Sequence, residues 1–327
     1  MSAWEQALVC GIYTVSPLHV STGQAEGAID LPVAKEPHTG FPVIPASSLK
    51  GVARDAFESN DLSKDQVTAL FGPTVDETTG KSSKVTGEAG KVTGEAGKAT
   101  GERGGGSGLF AGALVFTEAR LVAYAVRSLN RPFLYVTSRL VLERLARDLR
   151  AASIDIGSLA LPSTGASVLV ADKPLAKTTL VLEDLVYTSD IAESADVEKI
   201  GESLAALLPA SEDETRRRLK KSLVVIPDEH FAMLVRRLPV RARIRLNDNK
   251  TTSGDGGNLW YEEQVPSDCL FVSLVGARPG KGDALGIFHR YGSQLEVTQI
   301  GGNETVGEGI CFWTLAPQAA TSAKRVP

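Results

Sequence analysis

The sequence predicts an α+β fold in which strands near both ends of the chain frame a large insert. Three patterns predict it. Leu49, Val52, Ala53, Ala56 and Phe57 fall at i, i+3, i+4, i+7 and i+8, the apolar stripe of a core-facing helix. Val240, Ala242, Ile244 and Leu246 alternate with Arg241, Arg243 and Arg245, the period of a strand. Between about residues 139 and 247, helical patterns sit among short strand-like runs.

In chain order, Ala7 to Val15 reads as a first strand, rich in β-branched and aromatic residues. A strand-like opening runs into His19, a loop of small and glycine residues then carries Glu26 and Asp30, and Pro45 separates it from the first helix, which Ser47 or Ser48 can cap. Lys50 and Arg54 lie four apart on a flank of that helix, near an N-terminus whose free N–H groups favour an anion. The arrangement suits a protein that holds a nucleic-acid backbone and cuts it; it equally suits a loop of solvated charges. LSKDQVTALFG adds a helical turn ending at Gly72.

Residues 84–104 are three tandem heptads, KVTGEAG, KVTGEAG and KATGERG. Two glycines per unit and no apolar seam exclude a coiled coil, so a flexible loop is expected. GLFAGALVFTEARLVAYAVRS and FLYVTS return to strands, and LVLERLARDLR reads as a basic helix. TTLVLEDLVYTS reads as one further strand, before an acidic helix in ADVEKIGESLAALLP and a basic one in EDETRRRLKKSL.

In VRARIRL the three arginines share one face without an acidic partner on it, which favours a backbone-binding surface over a merely exposed one. Trp260 and Tyr261 beside Glu262 and Glu263 offer either an aromatic platform with carboxylates or ordinary core packing. The glycines from Gly301 to Gly309 allow close approach of a neighbouring strand or of a phosphodiester chain, and a last strand spans Ile310 to Leu315.

The chain has 327 residues, 43% hydrophobic and 23% charged, enough for a full core. With 35 Lys+Arg against 39 Asp+Glu, the net charge of −4 does not by itself advertise a nucleic-acid binder. Cys10, Cys269 and Cys311 are too few and scattered for a disulfide framework or a zinc site, and the four histidines lack metal-ligand spacing. With no signal peptide and no membrane-length apolar run, a cytoplasmic protein is expected.

Three blocks, HVSTGQAEGAIDLPVAKEPHTGFPVIPASSLKG, GLFAGALVFTEARLVAYAVRSL and NLWYEEQVPSDCLF with the late IGGNETVGEG run, closely resemble the RAMP superfamily of CRISPR systems. The resemblance is most specific to the Cas7-like backbone-subunit family of type III-B (Cmr) effector complexes. It implies a modified ferredoxin-like, RRM-type palm built from residues 1–138 and 248–318, with a flexible loop at 73–108. A thumb inserted at 139–247 and a disordered tail at 319–327 complete the expected layout.

The same resemblance implies that copies stack head to tail on a crRNA guide, beside other Cmr subunits, and cut complementary single-stranded target RNA at regular intervals. The expected products are a 2′,3′-cyclic phosphate and a 5′-OH. By motif, Asp30 is the catalytic aspartate, and His19, Tyr261 and Glu262, or Glu263 in its place, stand near cleavage. Lys50 contacts the guide, with Ser47, Ser48, Arg54, Arg127, Arg241, Arg243, Arg245, Gly301 and Gly302 as further RNA contacts. An exposed aspartate is a poor base at neutral pH, so Asp30 is expected to hold a divalent cation, Mg²⁺ in the first instance. Glu308 stands where relatives often carry a basic residue. An inert guide-coating scaffold and a standalone guide-processing endoribonuclease are the alternative readings.

Overall fold

The structure, a computed structural model, describes residues 4, 6–21, 23, 27–59, 62–74, 110–160, 167–246 and 259–316, with the side chains of 293 and 294 excepted. The heptad segment 84–104, Glu26 and the tail 319–327 lie outside the described residues.

The first part of the chain forms β1 (Gln6–Thr14), β2 (Val43–Ile44), α1 (Ala46–Glu58), α2 (Lys64–Phe71), β3 (Leu114–Phe116), β4 (Ala119–Arg127) and β5 (Phe133–Ser138). The insert adds α3 (Arg139–Ala151), β6 (Val168–Val170), α4 (Lys173–Ala176), β7 (Leu180–Leu182), β8 (Leu185–Tyr187) and β9 (Ile191–Glu193). It continues through α5 (Ala195–Ala205), α6 (Asp213–Ser222), β10 (Leu223–Ile226) and α7 (Asp228–Val235). Then follow β11 (Val240–Ile244), β12 (Leu259–Glu263), β13 (Leu270–Ala277), α8 (Asp283–Tyr291), β14 (Val297–Gln299) and β15 (Ile310–Leu315).

Strands β15, β1, β13 and β4 lie side by side in that order, each antiparallel to its neighbour. Taken in chain order with α1 and α8, they are the fourth, first, third and second strands of a βαββαβ unit, the ferredoxin-like arrangement expected. One face of this sheet carries Leu8, Val275 and Phe116, which are paired or in register across β1, β13 and β3. Helices α1 and α8 cover it through an aromatic cluster in which Phe57 stacks on Phe288 at 5.5 Å and meets Phe71 edge-on at 5.4 Å. Phe116 closes the cluster, edge-on to Phe288 at 5.7 Å.

The opposite face, which an RRM leaves open for stacking bases, is covered here by the insert. Gly11 is required for this, because a Cβ there would lie 2.1 Å from the Leu207 carbonyl oxygen. Beside it, the Tyr13 and Tyr135 hydroxyls meet at 2.8 Å and Tyr13 donates to Asp268 at 2.6 Å. Both tyrosines are buried, so neither offers a ring to RNA.

Four sequence expectations change. The insert holds more strand than its sequence suggested: β10, β6 and β9 extend the sheet outward from β5, which pairs with β4. Four-residue parallel segments such as β10 give too little periodic signal to be found without their partners. TTLVLEDLVYTS is a hairpin of β7 and β8, turned at Glu183 with φ 50°, and not one strand. Helix α1 starts at Ala46, two residues earlier than a Ser47 cap allows: Pro45 is its N-cap, and no side chain caps it. The basic helix α6 lies on the acidic α5, where Lys220 pairs with Glu202 and Glu198, so part of its charge is spent inside the fold.

Candidate functional site

The loop between β1 and β2 is laid along β12. Leu18 bridges to Val265, and Leu31 bridges in parallel to Glu262. The N–H groups of Asp30 and Leu31 both donate to the Tyr261 carbonyl at 3.1 Å, and Glu263 N–H returns a bond to Leu31 at 3.0 Å. Asp30 is exposed, yet its side chain is fixed, because Oδ2 accepts the Tyr261 N–H at 2.8 Å. Its Oδ1 takes no hydrogen bond among the described residues. The small, glycine-rich loop permits this course, with Gly27 at φ 60° in open space.

Two residues further along β12, about 7 Å at strand rise, His19 is anchored. The ring is 5% exposed and its Nδ1 lies 2.7 Å from the Glu263 carbonyl oxygen. A carbonyl only accepts, so Nδ1 carries the proton and Nε2 is left as the basic nitrogen. The His19 carbonyl accepts Gly302 N–H at 2.9 Å. Gly301, at φ 85°, passes so close that a Cβ would stand 2.3 Å from that carbonyl oxygen. The close approach expected of the late glycines is thus, at Gly301, an approach to the protein's own backbone, and Gly309 does the same against Ile300 at 2.1 Å. Gly302 is exposed beside the His19 ring.

Glu262 faces the other side of β12 and is 3% exposed. It accepts from Trp260 Nε1 at 2.7 Å, Arg243 Nε at 2.9 Å and Asn303 Nδ2 at 2.9 Å. Burial alone would raise its carboxyl, but the Trp260, Arg243 and Asn303 donors outweigh that and hold it below the usual glutamate value. Every oxygen of Glu262 is therefore engaged within the fold, whereas the Tyr261 side chain beside it is 41% exposed.

The arginine face of β11 does have acidic partners, contrary to the sequence reading. Glu308, 3% exposed, accepts from Arg241 at 2.8 Å, Arg243 at 2.5 Å, Gln264 at 2.8 Å and Asn303 at 2.9 Å. Arg243, its side chain 19% exposed, thus faces protein, whereas Arg241 is paired but keeps its side chain 52% exposed, and Arg245 falls beyond the strand, where it is exposed. The apolar alternates are exposed as well: Val240 is 48% exposed and Ile244 55%.

Lys50 is half-buried on α1 and makes no hydrogen bond or ion pair among the described residues; burial, then the neighbouring Arg54, draws its pKa below the usual lysine value. Arg54 departs from the reading that pairs it with Lys50 as an RNA contact. Its guanidinium donates to Glu58 and to the Gly72 carbonyl, each at 2.6 Å, and so ties α1 to the end of α2. Ser47 is exposed and Ser48 half-buried in the first turn of α1. Arg127 stands at the far end of β4 from the Ala119–Ile44 pairing that leads into α1, and pairs with Glu183 at 2.8 Å. Asp30, His19, Tyr261, Glu262, Gly301 and Gly302 are therefore brought together; Arg127 is not among them.

Sequence reasoning missed Asn303 and Gln264, which complete the buried network. Asn303 carried a signal, since an asparagine amid glycines is suited to the left-handed φ of 65° it adopts. Among the described residues no group of three His, Cys, Asp or Glu is placed to hold a metal ion. Asp30 could supply one carboxylate oxygen, a donor set that suits Mg²⁺ when substrate phosphates and water complete the shell. Nor, among those residues, is any helix long and apolar enough to cross a membrane.

Residues 12–311 match the model of the RAMP superfamily. A Pyrococcus furiosus protein described as CRISPR system Cmr endoribonuclease Cmr4 is 30% identical over 315 residues, 95% of this chain and 96% of the relative. A crystal structure of oligomeric Cmr4 from Pyrococcus furiosus is 25% identical with a TM-score of 0.66, covering 95% of this chain and 98% of that one. A chain in the cryo-EM structure of type III-B Cmr-beta bound to cognate target RNA shares the fold, at 22% identity and a TM-score of 0.65, with 96% and 98% covered.

Proposed function

The chain belongs to the RAMP superfamily, and from that premise we propose that it is a backbone subunit of a type III-B CRISPR effector complex. In this reading it coats the crRNA guide, associates with further copies of itself and with other Cmr subunits in the cytoplasm, and cuts guide-complementary single-stranded RNA at regular intervals. The observation that carries the reading is the exposed Asp30 carboxylate, held by Tyr261 N–H with one oxygen left open.

Cutting is attack of a ribose 2′-oxygen on the adjacent phosphorus. The new P–O2′ bond forms as the P–O5′ bond breaks, and the 2′-OH proton is lost while the departing 5′-oxygen gains one. The products are a 2′,3′-cyclic phosphate and a 5′-OH. Ordinary duplex RNA holds these atoms out of line, so positioning supplies much of the acceleration. His19 presents Nε2 as the proton-handling nitrogen, with its tautomer set by Glu263. Asp30 would hold a Mg²⁺ ion with the RNA phosphate, and that ion would neutralise charge developing on the phosphate. Lys50, at the N-terminal turn of α1, offers its ammonium group to a guide phosphate.

Base sequence is read by pairing with the guide, and the protein contacts the backbone. Glu262, saturated by three donors, positions β12 and does not touch the reacting atoms. An inert coat has no use for a free carboxylate at Asp30.

The test is to assemble the protein with guide and end-labelled complementary RNA, with and without EDTA. Evenly spaced fragments carrying cyclic phosphate ends, lost with EDTA, are expected. Intact target at every metal concentration supports the coat, and cleavage of precursor guide by the isolated chain supports processing.

A further inference from the structure

Both halves of the proposed site hang on the same two pieces of backbone. Asp30 is held by the Tyr261 N–H, His19 by the Glu263 carbonyl and, through its own carbonyl, by Gly302 N–H. Tyr261 and Glu263 belong to β12; Gly302 belongs to the glycine loop before β15. Side chains join these pieces, Glu308 with the most bonds. Glu308, from the glycine loop, accepts from both ribbon arginines, Arg241 and Arg243, and from Gln264 just after β12. It also accepts from Asn303, the neighbour of Gly302, and Asn303 donates in turn to Glu262 on β12.

Two carboxylates and two guanidiniums make this network neutral, and both carboxylates are buried at 3% exposure. Such a network costs desolvation, and its return lies in fixing one geometry when every lone pair is used. It also engages Arg243, 19% exposed, within the fold, and ties up part of the half-exposed Arg241. Paired residues share a face in antiparallel β11 and β12, so Arg241 lies beside Glu262 and Arg243 beside Trp260, all on the side turned to the glycine loop.

We propose that Glu308 is a positioning residue for RNA cutting: it clamps the β11–β12 ribbon to the glycine loop and so sets the relative placement of Asp30 and His19. The inference rests on the nuclease reading above for its consequence, though not for its geometry. Glu308→Ala removes the clamp and leaves two arginines with one carboxylate between them. Misplacement of a reacting group by about 1 Å costs on the order of 100-fold in rate. Single-turnover cutting at saturating guide is therefore expected to fall roughly 10- to 100-fold. Guide affinity is expected to hold or tighten, because positive charge is released toward the RNA. Glu308→Gln keeps acceptor oxygen and shape, and should recover part of the lost rate.

Amide hydrogen exchange read on the same variants does not depend on cutting. The Tyr261 and Gly302 amides should lose protection in Glu308→Ala, while the α1 amides around Leu49 and Ala53 keep theirs, which also shows that the protein is folded. Loss of protection in a protein that cuts no RNA even in its unaltered form leaves the clamp standing and removes the nuclease reading. Unchanged protection at both amides overturns the clamp, as does an unchanged cutting rate in Glu308→Ala when the unaltered protein cuts. A fall in cutting that is matched by an equal fall in guide affinity also overturns it.

Discussion

The carboxylate of Asp30 and the backbone of Tyr261 hold each other from both sides: Oδ2 accepts the Tyr261 N–H at 2.8 Å, and Asp30 N–H donates to the Tyr261 carbonyl at 3.1 Å. An exposed side chain would ordinarily sample several rotamers, and ordering it costs entropy at the moment of use. Here the order is built into the pairing of a loop with a strand edge, so the open Oδ1 is presented in one direction.

Among the described residues, Lys50 is the ammonium left without a protein partner on α1. Lys50→Ala should weaken guide binding and lower the slope of log affinity against log salt by about 0.7, the share of one phosphate contact on a single strand. Because burial and Arg54 draw its pKa down, the charged form costs folding free energy below that lowered value, and the cost disappears as pH rises toward the unfolded lysine value. Removing the charge should therefore leave thermal stability unchanged or slightly raised at neutral pH. Salt-titrated filter binding and a melting curve check both.

Gly301 and Gly307 separate strain from contact. Both have positive φ, 85° and 79°, but a Cβ at Gly301 would meet the His19 carbonyl at 2.3 Å whereas Gly307 faces open space. Gly307→Ala should cost only the left-handed backbone term, roughly 1–2 kcal/mol. Gly301→Ala should cost more and should also slow cutting by displacing His19. Chemical denaturation of the two variants, with cutting rates, reads the difference.

Glu36 joins the opening loop to α3 and β4. It is 4% exposed and accepts from both Arg144 nitrogens at 2.9 and 2.6 Å and from Thr39 at 2.6 Å, with Arg120 at 3.2 Å. Burial alone would raise its carboxyl, but the Arg144 and Thr39 bonds and the charges of Arg144 and Arg120 bring it below the usual value. Glu36→Ala strands two guanidiniums and should destabilise the fold by about 3–5 kcal/mol. For Glu36 and Glu262 alike the folded pKa is depressed, so their stabilisation is complete above the ordinary 4.5 and is lost as pH falls from there through the folded values. Unfolding followed between pH 5 and about pH 2 should show that loss, and Glu36→Gln should flatten it.

His19→Asn places an amide N–H where Nδ1 now donates to Glu263, but has nothing at the position of Nε2. Stability should stay near that of the unaltered protein while cutting falls on the order of 100-fold, the scale of a lost proton-transfer group. Guide affinity should not change, and melting, binding and single-turnover rates together check it.

Much of the frame was legible in the chain. The α1 stripe appeared at the correct residues because burial of one helix face imposes a 3.6-residue period on local sequence, and Leu49, Ala53 and Phe57 are indeed the buried ones. The alternation in Val240–Leu246 correctly separated two faces, yet the arginine face proved to meet buried carboxylates through Arg241 and Arg243. Period tells which residues share a side, and not what that side meets. The answer depended on Glu262 and Glu308, which lie 19 and 65 residues from Arg243 in sequence. The role of Arg54 was hidden for the same reason, since the Gly72 carbonyl it reaches is 18 residues away.

The central claim, that one fixed carboxylate serves RNA cutting and not RNA holding, is tested most directly by Asp30→Ala in the assembled complex. Guide binding and target cutting would be measured side by side on the same preparation. Unchanged guide affinity with no target fragments is the expected result, and evenly spaced fragments at the unaltered rate would contradict it.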